Sequence, residues 1–143
     1  ESACAALGQL VEAVLMAAPG ARAARDLTRG GLASALNEIA AAAGCGIEIS
    51  EEALPLRAEV SGMCEILGLD PLYLANEGRL VVFVPEAEAG AALSAMRARP
   101  EGQGACIIGT AVAAHPGQVR MRTAFGGARI VDMLVGEQLP RIC

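Results

Sequence analysis

The side chain with the clearest reactive chemistry is Cys143, the last residue of the sequence. The nucleophilic form of cysteine is the thiolate, and an unperturbed thiol has a pKa of about 8.5. Pro140 lacks a backbone donor and favours an extended conformation at Leu139. From about Met133 onward the segment could span roughly 30 Å or more, at about 3.3–3.6 Å per residue. The ending predicts a thiol on an extended tether, although a free terminal cysteine without a function has the same pattern.

The other cysteines, Cys4, Cys45, Cys64 and Cys106, stand among apolar or small neighbours without any Cys-x-x-Cys spacing. We expect them to be small residues in or near the core. His115, the single histidine, stands beside Pro-Gly and is expected to be an exposed turn residue without a catalytic role. No zinc or other metal site is expected. An odd and scattered set of cysteines is typical of a reduced, cytoplasmic protein.

A second candidate site is Arg29-Gly30-Gly31, which leads into a predicted helix. Two glycines at a helix start let the backbone approach a ligand closely, and the free N–H groups there favour an anion. Asp26 and Thr28 could cap the helix, and Arg29 could contact a phosphate oxygen. A tight turn without a ligand has the same pattern, so both interpretations stay open.

Glu77 is the third candidate. It precedes the apolar strand predicted over residues 79–85, and its neighbours Asn76 and Gly78 suggest a turn that presents its carboxylate to a cleft. A carboxylate in that position could act as a general base or orient one. A solvated loop charge before a buried strand is the more common situation.

The elements that must position these residues alternate between helices and strands. Apolar spacing with glycine or proline stops predicts helices over residues 2–17, from Leu32 to the Gly44-Cys45-Gly46 stop, over 51–67 and over 86–98. In the first helix the residues expected to face inward are Leu7, Leu10, Val11, Val14 and Leu15. Strands are predicted over residues 47–49, 79–85, 105–112, 118–123 and 127–132, with a hairpin-type turn at Pro116-Gly117. This order predicts an α+β sandwich with a mixed sheet and packed helices.

The composition excludes several classes of protein. A length of 143 residues suits one domain with a single core, and with 54% hydrophobic but 2% aromatic residues that core must be aliphatic. No apolar run approaches the roughly 18–20 residues of a membrane span, and the first residues lack the basic region of a signal peptide. A net charge of −5 gives nonspecific nucleic-acid binding no electrostatic basis. All 11 basic residues are arginine, so this chain cannot supply a phosphate-binding lysine.

Three stretches together resemble the HypE family of hydrogenase maturation factors, the carbamoyl dehydratases. They are Arg25–Leu32 (RDLTRGGL), Asp70–Gly78 (DPLYLANEG), and Thr123 with Gly126–Leu134 (GGARIVDML) running into Gly136–Cys143 (GEQLPRIC). The middle stretch alone indicates only the wider superfamily of aminoimidazole ribonucleotide synthetase and selenophosphate synthetase. The Pro-Arg-Ile-Cys ending is what narrows the resemblance to HypE.

The resemblance implies that residues 1–133 form the C-terminal domain of this superfamily and that residues 134–143 form a flexible tail. It also implies an N-terminal domain, absent from this sequence, that supplies most of a site for ATP with Mg²⁺ and the contacts of a family dimer. The isolated chain is then expected to be monomeric and inactive. The residues expected to line the phosphate side of the cleft are Asp26, Thr28, Arg29, Gly30 and Gly31, and those expected to position the tail are Pro140, Arg141 and Ile142.

For the chemistry, the resemblance implies that the carbamoyltransferase HypF loads a carbamoyl group onto the sulfur of Cys143. The amide oxygen is then phosphorylated by ATP, Glu77 serves as the base or orients it, and a thiocyanate remains on Cys143. The cyano group passes to iron held by the HypC–HypD complex. Two alternatives remain: a fragment that acts only as a thiol carrier that docks partners, and a selenophosphate synthetase-like domain.

Overall fold

The structure, a computed structural model, describes residues 7–133. The expected tail residues Pro140, Arg141, Ile142 and Cys143 lie outside the described part, as does Cys4. The helices are α1 (Gly8–Ala17), α2 (Gly31–Ala43), α3 (Ala58–Leu67) and α4 (Glu86–Arg97). The strands are β1 (Ala23–Leu27), β2 (Gly46–Ser50), β3 (Asn76–Phe83), β4 (Gly109–Val112), β5 (Val119–Arg122) and β6 (Ala128–Ile130). Short 3₁₀ turns cover Glu51–Ala53, Pro71–Tyr73 and Pro100–Gly102.

The described strands form two sheets. In the larger one β2 is central: it pairs antiparallel with β4 and parallel with β5, and β5 pairs antiparallel with β6. In the smaller one β1 and β3 pair antiparallel. The expected α+β fold with a mixed sheet and packed helices is confirmed, with the strands divided between two sheets.

The main core lies between α2 and one face of the larger sheet. Ala33, Leu36 and Ala40 follow the spacing of one helical face, and they pack against Ile47 of β2 and Met121 of β5. Burying one such large aliphatic side chain contributes about 1.5–3 kcal/mol. A smaller cluster between α1 and α4 contains Val14, Ala18 and Ala92. Both clusters are built without a buried aromatic side chain, which confirms the aliphatic core expected from the composition.

Several predicted elements are confirmed with shifted bounds. The helix from Leu32 is α2, which Gly44 ends in the left-handed region at φ 63°. The helix predicted over 51–67 is divided into a 3₁₀ turn and α3, which Gly68 ends in the same way. The strand predicted over 105–112 begins only at Gly109. No helix in the described part is long and apolar enough to cross a membrane.

Three details of the prediction are wrong. Residues 23–27 form β1, which the sequence did not predict because its alternation is weak and only Leu27 is buried. Leu15 is 52% exposed, since α1 packs against α4 along one narrow face. The turn at Pro116–Gly117 does not close a hairpin, because β4 and β5 lie on opposite sides of β2.

Candidate functional site

The smaller sheet contains an irregularity at the position where two candidate regions meet. Asp26 of β1 pairs with Leu80 of β3, but the next residue, Leu27, pairs with Asn76. Residues 77–79 of β3 therefore form a bulge, because they lie opposite the single peptide bond between Asp26 and Leu27 of β1. Bulges of this kind bend a strand and re-aim its side chains, and they are common beside active sites.

Glu77 is the first residue of this bulge. The turn expected around it is wrong, because Glu77 lies within β3 and is exposed. Gly78 follows at φ 71°, a left-handed conformation that glycine adopts without strain. Strand pairing thus brings Glu77 next to the end of β1, although the two regions lie some 50 residues apart in the sequence.

Asn76 and Gly78 line an apolar groove of about 1,060 Å³ that extends between the two sheets. Glu77, the residue between them, is not among the residues that line it. The bulge interrupts the regular alternation of side chains at this point, and Glu77 is exposed to solvent.

The chain passes from β1 directly into the glycine pair and α2. Thr28 Oγ1 donates a hydrogen bond to Asp26 Oδ1 at 3.2 Å, and Arg29 is exposed. The N-cap of α2 is Gly30, at φ 63°, and no side chain of the described residues caps the helix. The expectation that Asp26 or Thr28 caps α2 is therefore wrong. The first N–H groups of α2 thus have no side-chain cap among the described residues, and uncapped groups at a helix start favour an anion.

Gly31 has a structural reason to be glycine. Its φ is +60°, and a Cβ atom added there would lie 2.5 Å from the carbonyl oxygens of Leu72 and Leu74. The helix start is thus pressed against the 3₁₀ turn Pro71–Tyr73. The sequence left open whether the glycine pair serves a tight turn or a ligand. For Gly31 the structure shows tight packing, which is compatible with a ligand at the same helix end.

The same 3₁₀ turn is held by polar contacts that sequence reasoning missed. Asp70 Oδ1 accepts a hydrogen bond from Leu72 N at 3.0 Å, and Asp70 Oδ2 accepts one from Arg129 Nη2 at 2.6 Å. Tyr73 donates its hydroxyl to the carbonyl oxygen of Asp132 at 2.9 Å. Burial, and then the Asp70 carboxylate, raises the pKa of Tyr73 above its ordinary 10.0, so its hydroxyl remains a donor at neutral pH.

Asn37 of α2 adds a third polar contact to the same end of the chain. Its Nδ2 donates to the carbonyl oxygen of Val131 at 2.8 Å and to that of Ala33 at 2.9 Å. Asp70, Tyr73 and Arg129 lie inside the stretches that carry the family resemblance, which is the signal that could have pointed to them. Nothing in their spacing indicates that they meet.

His115 is not the exposed residue that the sequence predicted. Its backbone is left-handed at φ 42°, and its side chain is 10% exposed because it packs against Gly46 at the start of β2. Its Nε2 lies 3.3 Å from Glu48 Oε1 but outside hydrogen-bonding geometry, so within the described part this nitrogen has no hydrogen-bond partner. His115 belongs to the larger sheet, whereas the candidate site lies at β1, β3 and the start of α2.

The described cysteines are core or near-core residues, as expected. Cys64 is buried, while Cys45 and Cys106 are half-buried. Burial raises the pKa of the Cys106 thiol above 9.0, and the nearby guanidinium groups of Arg97 and Arg79 partly oppose this. None of these three thiols is exposed, and exposure is one of the features of a reactive cysteine.

Comparison with known proteins gives the family. The family model for the C-terminal domain of AIR synthase related proteins matches residues 1–122. Carbamoyl dehydratase HypE of Rhodobacter capsulatus is 82% identical over 143 residues, which are 100% of this chain and 42% of that protein. A crystal structure of the hydrogenase maturation protein HypE in complex with ATP matches with a TM-score of 0.91 at 47% identity, over 99% of this chain and 44% of that one.

A crystal structure of a HypE–HypF complex also matches, with a TM-score of 0.87 at 40% identity, over 93% of this chain and 43% of that one. The chain therefore spans less than half the length of these relatives, and the expected resemblance to the C-terminal portion of HypE is confirmed. From these matches, the chain belongs to the family of AIR synthase related protein C-terminal domains.

Proposed function

We propose that this chain is the C-terminal part of an ATP-dependent carbamoyl dehydratase. Cys143 carries a carbamoyl group, which is converted to a thiocyanate that supplies the cyanide ligand of nickel–iron hydrogenase. The observation that carries this proposal is the 82% identity to Rhodobacter capsulatus HypE along all 143 residues. The proposed division is a domain over residues 1–133 and a tail over residues 134–143 that ends in the acceptor thiol.

The chemical difficulty is that a carboxamide oxygen is a very poor leaving group. ATP supplies phosphorylation of that oxygen, so that phosphate departs in its place. The reaction also removes two protons from the amide nitrogen, which calls for a base. Glu77 is the proposed base or the residue that orients it, and it lies exposed in the bulge of β3.

The start of α2 is the proposed phosphate-facing surface of this domain. Gly30 leaves the first N–H groups of the helix without a side-chain cap, and the helix dipole adds partial positive charge there. Arg29 is exposed beside them and can form a charge-assisted hydrogen bond with a phosphate oxygen. These groups fit an anion, but they form only one side of a nucleotide site. Mg²⁺ and most of the ATP contacts are assigned to the part of the protein outside this chain.

The proposed partners follow from the chemistry and from one relative. A structure of HypE with HypF exists for a protein 40% identical to this chain, and HypF is the proposed enzyme that loads Cys143. The HypC–HypD complex is the proposed acceptor of the cyano group. We assign the dimer contacts of the full-length protein to its N-terminal domain.

The test uses the full-length protein with HypF, carbamoyl phosphate and ATP, and it follows intact mass and peptide maps. Cys143→Ser is expected to abolish the carbamoyl adduct, whereas Cys106→Ser, a matched control at a half-buried thiol, is expected to keep it. Glu77→Gln is expected to be loaded normally and to slow dehydration by about 10²–10⁴-fold, the usual contribution of a general base. Loading of the Cys143→Ser variant would contradict the thiol assignment.

A second candidate concerns the isolated chain, which we propose acts as a thiol carrier without catalysis of its own. It contains no lysine and spans 42% of the length of its Rhodobacter capsulatus relative. Calorimetric titration with ATP separates the two candidates, because a carrier binds the nucleotide weakly or not at all.

A further inference from the structure

We propose that Asn37, Asp70 and Tyr73 form a clamp that fixes the point at which the chain leaves the domain toward Cys143. The clamped segment is residues 129–132, which we call the tail root. In this assignment the three side chains are positioning residues for dehydration and do not touch the reacting group. The inference rests on the proposed function, because it gives the clamp a purpose only if Cys143 is the acceptor.

The clamp binds the tail root at three of four consecutive residues. Asp70 binds the side chain of Arg129 at 2.6 Å, Asn37 donates to the carbonyl oxygen of Val131 at 2.8 Å, and Tyr73 donates to that of Asp132 at 2.9 Å. Two of these three contacts are made to main-chain oxygens. The clamp therefore fixes the backbone path itself, at the last positions before Met133.

The segment that holds the tail root also holds both parts of the candidate site. Its 3₁₀ turn, Pro71–Tyr73, lies against Gly31 at the start of α2, so closely that a Cβ atom there would overlap carbonyl oxygens. Three residues after Tyr73 the chain enters β3, whose second residue is Glu77. The proposed phosphate surface, the proposed base and the tail root are thus anchored to one stretch, residues 70–78.

Strand pairing and burial also hold the tail root, in addition to the clamp contacts, which argues against a purely structural role for the clamp. Met121 pairs with Arg129 in the adjoining strands, Val131 N donates to Val119 O at 2.8 Å, and the Val131 side chain is fully buried. The Tyr73 hydroxyl contact is by contrast exposed to solvent. The Tyr73 contact therefore adds little buried area but fixes the direction of the chain. Delivery of Cys143 within one molecule requires such a contact.

The physical benefit is effective concentration. The ten residues from 134 to 143 have a contour length of at most about 36 Å. The concentration of a tethered group at its target depends steeply on how well the tether length matches the span it must cover. A fixed root sets that span, whereas a loose root spreads the thiol over a larger volume and lowers the rate of every intramolecular step.

The test uses the full-length protein, loaded with carbamoyl by HypF and then followed through a single turnover of dehydration with ATP. Tyr73→Phe keeps the ring and removes one hydrogen bond, and Asn37→Ala removes another from a different element. Each is expected to slow dehydration about fivefold, the equivalent of one ordinary hydrogen bond. The rate of loading by HypF and the ATP concentration at half-maximal rate are expected to stay unchanged. Gln9→Leu, which removes an exposed contact to Arg99 far from the tail root in sequence, is the matched control.

Tail length provides a readout that a structural role would not move. Inserting Gly-Ser after Met133 is expected to slow dehydration in the otherwise unchanged protein, and to have a smaller effect when Tyr73→Phe has already loosened the root. Strictly multiplicative effects of insertion and substitution would overturn the clamp, and so would clamp variants that dehydrate at the unmodified rate. Equal slowing of loading and dehydration would overturn it as well. An unmodified protein that takes no carbamoyl group at Cys143 would overturn the proposed function itself, and this inference with it.

Discussion

The two sheets of this domain differ in how deeply their residues are buried and in how regular their strand pairing is. The larger sheet places Ile47, Val119 and Met121 against α2, with each of these side chains almost completely buried. The smaller sheet is largely exposed along β1, breaks its register after Asp26, and carries the bulge that contains Glu77. A regular sheet covered by a helix maximises buried area, whereas an exposed, irregular sheet leaves polar groups free to meet a ligand. Stability is thus concentrated in one sheet and the candidate chemistry in the other.

The largest effect on stability is expected from the core of the larger sheet. Leu36→Ala removes a side chain that is 1% exposed between α2 and β2, and it should lower the free energy of unfolding by about 2–5 kcal/mol. Met63→Ala is the matched control, because Met63 is an exposed residue of α3, where changes of about 0.5 kcal/mol or less are usual. Urea denaturation of both variants measures the difference. Equal losses of unfolding free energy in the two variants would contradict the conclusion that stability is concentrated in the larger sheet and its helix.

The sequence predicts the larger sheet better than the smaller one, for a physical reason. β2 alternates clearly as Gly46-Ile47-Glu48-Ile49, and α2 has helical spacing bounded by glycines, so local pattern is sufficient. β1 reads Ala-Ala-Arg-Asp-Leu and has only one buried residue, so its strand character comes from pairing with β3. The bulge at Glu77 arises from the same pairing and has no local signal.

The polar contacts around the tail root could not be predicted from local sequence pattern either. Tyr73 meets Asp132 across 59 residues and Asn37 meets Val131 across 94. The sequence predicts His115 to be an exposed turn residue, but its side chain is largely buried because Gly46 leaves room for it. Each of these positions depends on where distant elements pack. The composition and the motifs predict which residues are available, and tertiary packing decides which of them meet.

An intermediate effect is expected at the junction between the two regions, at Gly31. Gly31→Ala adds a Cβ atom 2.5 Å from two carbonyl oxygens at a positive φ, so the 3₁₀ turn must shift. We expect a loss of about 1–3 kcal/mol in unfolding free energy. Gly44→Ala is the control, because Gly44 has the same left-handed backbone but nothing within 4 Å of an added Cβ atom. Thermal unfolding should show the larger loss for Gly31→Ala. A loss no greater than that of Gly44→Ala would contradict the close contact between α2 and the turn.

The smallest effect is expected from titration of two groups whose pKa is raised by burial, Cys106 and Tyr73. Burial raises the pKa of Cys106 above 9.0 and that of Tyr73 above 10.0, so the folded state holds both protons more tightly than the unfolded state. The stability linked to each group is fully present below its unfolded pKa and is lost as the pH rises through its folded pKa. Urea midpoints are therefore expected to fall as the pH rises above the ordinary pKa values of 9.0 for Cys106 and 10.0 for Tyr73. Cys106→Ala should remove the part of this fall that is linked to the thiol and Tyr73→Phe the part linked to the tyrosine hydroxyl, each measured under reducing conditions. If Tyr73→Phe left the alkaline part of the profile unchanged, the raised pKa that burial and the Asp70 carboxylate give to the tyrosine hydroxyl would be contradicted.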